Sequence, residues 1–302
     1  GSRNLTFGGA ATLGANHPSV SNNLGATVNF GSPTPISFSS GVAKVTGSNN
    51  GVMKLYAAET AKVTVSDGSI GNGSGLTLVV SPGTLTISVT NPGTQTAGTA
   101  FNLAISAKDG FGNGLSGAQA LTFSGPASSP SEKAPSYPSS VTFTAGLGTA
   151  STTLYNASAT TNVTVSQGAV NGSSGNFAVN AGAAAKLAWS SVTGTAGSAE
   201  ELCLFTCTWA GLGKNRAWSA KVSVTDANGN VVSNIGSGHA VTWTGGPNVG
   251  SVNSTNLTLP SSGVATTSSS VTYTSSGSNF WSTDTFTAHS SPYGDATVLL
   301  KK

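Results

Sequence analysis

Two stretches of this chain can be written over one another. GVMKLYAAETAKVTVSDGSIGNGSGLTLVVSPG, residues 51–83, and TASTTLYNASATTNVTVSQGAVNGSSGNFAVNAG, residues 149–182, share Leu-Tyr, a following Ala and Thr, then Val-Thr-Val-Ser. Both continue with a turn glycine and a Gly-Ser pair and close on an apolar alternation ending at Gly. A unit repeated at about 100 residues is too long for a solenoid and has the size of one β-sandwich domain. The repeat thus restricts the chain to a tandem array of β-rich units.

Composition supports a folded chain and removes several functions. Charged residues are 7% and hydrophobic residues 37% of the 302 positions, the reverse of the disorder signature. The twelve basic residues against nine acids form neither a cluster nor an aromatic-interleaved stripe, so nucleic acid is not an expected partner. No apolar run is long enough to span a bilayer, and GSRNLTFGG lacks signal-peptide anatomy, so membrane insertion is not expected and the segment reads as mature or excised. An exterior of Ser and Thr tolerates salt and pH and offers proteases few basic sites. That suits an extracellular or cell-surface protein.

Residues 82–183 read as a complete unit. TLTISVT (84–90), FNLAISAKD (101–109), QALTFSG (119–125), SVTFTAG (140–146), ASTTLY (150–155), NVTVSQG (162–168) and NFAVNAG (176–182) each alternate β-branched or aromatic residues with Ser, Thr or Asn between Gly or Pro breaks. Such spacing predicts an all-β, immunoglobulin-like sandwich.

Residues 1–81 correspond only to the later part of that unit. RNLTFGG (3–9) answers QALTFSG and PISFSSG (35–41) answers SVTFTAG, but nothing precedes Arg3 that answers the first two strands. An incomplete domain is therefore expected, with an apolar acceptor region formed by Leu5, Phe7, Ile36, Phe38, Leu55, Val63 and Val65. Filling it with a strand is worth several kcal/mol at about 25 cal/mol per Å². The donor would come from another copy of the chain or from a preceding part of a longer parent, head to tail.

Residues 184–302 repeat the plan with bulkier strands carrying Trp189, Trp218, Trp243, Tyr273 and Phe286. The segment EELCLFTCTWAGLGKNRAW (200–218) has no counterpart in the middle unit. Were Cys203 and Cys207 on one extended strand, their Cα atoms would lie about 13 Å apart, beyond disulfide reach, so a bridge requires a turn between them. A small disulfide loop is the expectation, because an extracytoplasmic setting favours oxidation. Trp209, Lys214, Arg216 and Trp218, with Trp281, form a candidate binding loop for a glycan or a host surface.

No cofactor, metal or catalytic group is expected. His17, His239 and His289 are scattered over different predicted elements, and Glu200-Glu201, adjacent on an extended segment, would face opposite ways. Sequons at Asn4, Asn72, Asn156, Asn162, Asn171, Asn253 and Asn256 permit glycosylation in a Ser/Thr/Asn-rich chain where many arise by chance.

TAGTAFNLAISAKDGFGNGLSG (96–117) and RAWSAKVSVTDANGNVVSNIG (216–236) share a strand followed by Asp-x-x-Gly-Asn, at Asp109 to Asn113 and Asp226 to Asn230. Physically this is a turn capped by Asp, bent at Gly and closed by Asn. One carboxylate per loop is too few for calcium. With VTFTAGLGTASTTLY, these stretches resemble the bacterial immunoglobulin-like repeats of invasin- and intimin-type surface proteins. The resemblance implies tandem sandwiches used as stalks, spacers, filament subunits or adhesive tips. The expected function is structural, a filament or stalk subunit assembling by strand donation, with an adhesive or carbohydrate-binding tip as the alternative.

Overall fold

A computed structural model describes residues 1–194, 216–236, 239–245, 251–253, 257–260, 262–272 and 283–301. The regular structure there is entirely strand, arranged in antiparallel sheets with one short parallel pairing, and the architecture is a tandem of immunoglobulin-like β-units.

The N-terminal unit contains β1 (Ser2–Gly8), β2 (Ser19–Ser21), β3 (Thr27–Asn29), β4 (Thr34–Ser37), β5 (Met53–Lys54), β6 (Thr60–Ser66) and β7 (Leu76–Val79). The middle unit follows with β8 (Leu85–Val89), β9 (Gln95–Thr96), β10 (Ala100–Asp109), β11 (Gly117–Ala120), β12 (Thr122–Ser124) and β13 (Ser140–Phe143). It ends with β14 (Leu147–Thr153), β15 (Ser158–Thr161), β16 (Thr164–Gln167), β17 (Val170–Ser173) and β18 (Phe177–Asn180). The C-terminal unit holds β19 (Lys186–Gly194), β20 (Arg216–Thr225), β21 (His239–Gly245), β22 (Ser251–Asn253), β23 (Leu257–Leu259), β24 (Val264–Thr272), β25 (Thr283–Ser290) and β26 (Gly294–Lys301).

In the middle unit, β10 lies between β14 and β8, and the facing layer is built on β16 between β12 and β17. Period-2 alternation sends Leu103, Ile105 and Ala107 of β10 inward, where they meet Ile87, Val141, Phe143, Leu154, Val163 and Val165. Leu103, Ala150, Leu154, Val163 and Val165 are wholly buried. Each large aliphatic side chain so placed contributes about 1.5–3 kcal/mol. This single cluster is why β10 is central.

The N-terminal unit reproduces half of this plan in register. Arg3 pairs with Ile36 as Gln119 pairs with Val141, and Phe7 pairs with Val65 as Phe123 pairs with Val165. The turn after β4 also matches: Ser40 and Ala145 both have φ of 49°, and the glycines after them, Gly41 and Gly146, are left-handed as well.

What differs is the sheet around β5. The expectation that nothing stands in the place of the second strand is corrected at one end of that place. The segment between β1 and β4 folds a β2–β3 hairpin, and β2 pairs Ser19 and Val20 with Lys54 and Met53. Ala100 and Phe101 of β10 make the same pairing with Thr153 and Thr152 of β14. Val20 is thereby buried against Phe7 and Ile36. After Ser21 the chain turns away, with the Asn22 carboxamide oxygen accepting from the amides of Leu24 and Ala26. The stretch answering Ile105 to Asp109 is not supplied by β2.

Among the described residues the C-terminal unit has two four-stranded sheets, β19-β20-β24-β22 and β23-β21-β25-β26. Leu187, Val222, Val224, Val241, Leu259, Ala288 and Ala296 are buried, and the Trp189 and Trp243 rings meet at 5.4 Å between centroids. Trp243 is buried, and Trp189, half-buried, packs against it.

Candidate functional site

Two features combine chemistry-bearing side chains: the junctions between units, and an apolar groove in the N-terminal unit. The junctions are built from the Asp-x-x-Gly-Asn turns. Within the first turn, Asp109 Oδ1 accepts from the amides of Phe111 and Asn113, both at 2.9 Å, and Gly112 takes a left-handed φ of 97°. So far this is the capped turn the sequence predicts.

The Asn113 side chain, however, reaches beyond its own unit. Its Oδ1 accepts from the Ala58 amide at 2.7 Å and its Nδ2 donates to the Tyr56 carbonyl at 2.7 Å, the way a neighbouring strand would. Nδ2 also donates to Asp109 Oδ2 at 2.9 Å, and that same oxygen accepts from the Gly83 amide of the connecting segment at 2.9 Å. One turn thus holds both the preceding unit's Leu-Tyr-x-Ala bend and the linker. Asp109 and Asn113 are both buried. Burial pushes the Asp109 carboxyl up, but the bonds from the Asn113 side chain and from the Gly83, Phe111 and Asn113 amides outweigh it and bring its pKa down to about 2.

The second junction repeats every one of these bonds. Asn230 accepts from Ala157 and donates to the Tyr155 carbonyl, each at 2.8 Å, and it also donates to Asp226 Oδ2 at 2.8 Å. Asp226 accepts from Gly182 at 2.8 Å and from the amides of Asn228 and Asn230 at 2.8 and 2.9 Å. Only the surroundings change. Tyr56 meets the Phe111 ring edge-on at 5.2 Å, whereas Tyr155 lies under Lys133 Nζ at 4.0 Å, and the Ser131 amide and hydroxyl donate to the Asn228 carbonyl at 3.1 and 2.9 Å.

The groove, of about 610 Å³, is lined in part by Leu5, Phe38, Val65, Ile70 and Asn72. Its rim carries the Arg3–Asp67 ion pair at 3.0 Å. The Ile70 and Ser69 amides, with Arg3 adding to them, hold the Asp67 carboxyl below its ordinary range. In the middle unit the residues at the same register are closed over: Leu121, Phe143 and Val165 are buried, whereas Leu5, Phe38 and Val65 are half-buried. The two turn glycines show what makes the difference. A methyl on Gly146 would meet the Ala107 carbonyl of β10 and Gly114 Cα, just past the turn that follows β10, at 2.8 Å, while one on Gly41 meets nothing within 4 Å. On the opposite wall, Asn72 stands where the middle unit has Gly172, whose added methyl would strike the Ile87 carbonyl at 2.3 Å. Asn72 accepts from the Val65 amide and donates to the Val63 carbonyl, both at 3.0 Å, so it closes the side on which β8 approaches β17 in the middle unit.

Of the residues predicted to form an acceptor region, Leu5, Phe38 and Val65 line the groove, Phe7, Ile36 and Val63 are buried beneath, and Leu55 is half-buried beside β5. Cys203, Cys207, Trp209, Lys214 and Trp281 lie outside the described residues; Arg216 and Trp218 lie in the first half of β20, where only the backbone course is described. His239 faces the Tyr293 ring, and His289 pairs with Asp295. Sequence reasoning found both Asp-x-x-Gly-Asn turns, and both Leu-Tyr pairs with their following Ala as part of the repeat, but did not join them. Their recurrence in the same order at both boundaries was the available signal.

No family model and no curated protein matches this chain. Among solved structures it is similar to the Yersinia pseudotuberculosis adhesin InvE, with 14% identity, 72% of this chain and 58% of that one covered, and a TM-score of 0.30. It is similar to the Escherichia coli adhesin FdeC at 14% identity over 99% of this chain and 96% of that one, with a TM-score of 0.37. Domains 4–9 of the surface-layer protein SbsC share 19% identity over 98% of this chain and 46% of that structure, with a TM-score of 0.29. The chain thus spans little more than half of the InvE structure and less than half of the SbsC one.

Proposed function

We propose that this chain is a non-enzymatic structural segment of an extracellular or cell-surface assembly, and that its N-terminal unit takes in an extended strand from a second copy. The observation that carries this reading is the contrast between Gly41, open, and Gly146, packed against the second half of β10, at turns that are otherwise the same. The groove beside Gly41 occupies that place, and its Leu5, Phe38 and Val65 walls fit a segment with apolar side chains at alternate positions, as Ile105 and Ala107 are in β10. Asn72 caps the other side, so the incoming strand stands in for the second half of β10 and not for β8. Such an addition gives a heterologous contact that propagates head to tail. The Ser/Thr-rich, charge-poor composition supports the extracellular setting.

The test is light scattering over a concentration series combined with negative-stain micrographs. Oligomers growing with concentration are expected, and Leu5→Lys with Val65→Lys should abolish them. Binding of a peptide with the sequence of residues 101–109 to the parent, and its loss in the double variant, provides a second readout. A monomer at every concentration that ignores the peptide rejects strand donation.

A further inference from the structure

We propose that the Leu-Tyr-x-Ala bend and the Asp-x-x-Gly-Asn turn are the two halves of a docking interface that locks each unit onto the next at a fixed angle. Asn113 and Asn230 act as positioning residues, and the array is a stiff rod. The inference is independent of strand donation. It rests on the two junctions, which use six equivalent hydrogen bonds of 2.7 to 2.9 Å in both places while their flanking side chains differ. A bond set preserved while its periphery changes marks the part that does the docking.

Consecutive domains move relative to one another by default unless something orients them. A single hydrogen bond would leave rotation about its axis free. Each Asn instead makes two bonds in opposite senses to one backbone bend, and the neighbouring Asp fixes the linker amide of Gly83 or Gly182, so three backbone points are held by one turn. Only a carboxamide can do this. An Asp at 113 would present two acceptors to the Tyr56 carbonyl and to Asp109, and Ala would present nothing, leaving the Ala58 amide and Tyr56 carbonyl to find water. The bonds are directional and shielded, because Asn113, Asp109, Asn230 and Asp226 are all buried. A partner for this interface is therefore any β-unit that carries the complementary turn at the end of the strand answering β10 or β20.

The experiment is a spin-label distance measurement across the first junction, in the full chain at a concentration where it is monomeric. Labels are attached at Thr77→Cys and Thr142→Cys in a Cys203→Ser, Cys207→Ser background. The parent should give a narrow distribution, and Asn113→Ala should widen it about twofold or more, as expected for domains joined only by a short linker. Ala58→Pro removes the donor on the other side and leaves the Asp109–Asn113 turn untouched, so it should also widen the distribution, even if Asn113→Ala fails to fold. A broad distribution in the parent, or a parent-like one in Ala58→Pro, would overturn the proposal.

Discussion

The Asn113 carboxamide donates to the carbonyl of Tyr56, 57 positions earlier in the chain, at 2.7 Å, and so ties a turn of one unit to a bend of the unit before it. The same side chain shields the Ala58 amide. In amide exchange measurements, Ala58 and Ala157 are expected to be protected although both lie outside regular strands. Asn113→Ala should raise exchange at Ala58 by about 10- to 100-fold, the equivalent of about 1–3 kcal/mol for a buried donor left unmade, without affecting Ala157.

Asp109 gives the first junction a pH dependence of known sign. Its folded pKa of about 2 lies below the ordinary 3.8, so its contribution is fully present above the ordinary value and is lost as pH falls through the interval between them. Chemical unfolding followed from pH 5 to pH 2 should show stability falling with pH. Part of that slope should vanish in Asp109→Asn; an unchanged slope would mean that the carboxylate is not held as described.

Gly41 and Gly146 allow a matched comparison. Both are left-handed, so Ala at either position costs about 1–2 kcal/mol in backbone strain. At Gly146 the new methyl also meets Lys108, the Ala107 carbonyl and Gly114 at 2.7 to 2.8 Å, which adds roughly 1–3 kcal/mol of overpacking. Thermal melts should place Gly146→Ala clearly below Gly41→Ala. Equal losses would contradict the open space beside Gly41.

Val20 is the side chain through which the β2 hairpin closes one end of the N-terminal core. Truncation to Ala should cost about 2 kcal/mol and act on the N-terminal unit alone. Leu103→Ala, at the centre of the middle unit, should cost about 2–5 kcal/mol. Proteolysis followed by mass spectrometry separates the two, since Val20→Ala should expose residues 1–81 first and Leu103→Ala the middle unit.

The repeat, the strand alternation and the turn chemistry were legible along the chain because they are local. Thr-Val-Ser alternation fixes which side chains face inward, and Asp, Gly and Asn at fixed offsets fix a capped turn. Even the equivalence of Phe7 with Phe123 could be read before any coordinates, and the pairing register agrees with it. The two halves of the junction were each visible as motifs. That Asn113 closes on Tyr56 as well as on its own loop was not, because a carboxamide can satisfy itself on any nearby backbone and only packing decides which backbone is near. The β2 plug was hidden for a similar reason. Ser-Val-Ser is too short to announce a strand, and it becomes one only because β5 offers it unpaired backbone and Phe7 and Ile36 offer Val20 an apolar place. Sequence alone determined the kind of unit and its internal register, since these follow from periodicity. Tertiary structure decided how units join and where the first one stays open, since those depend on which side chains come within 3 Å of which backbone groups after the chain has folded.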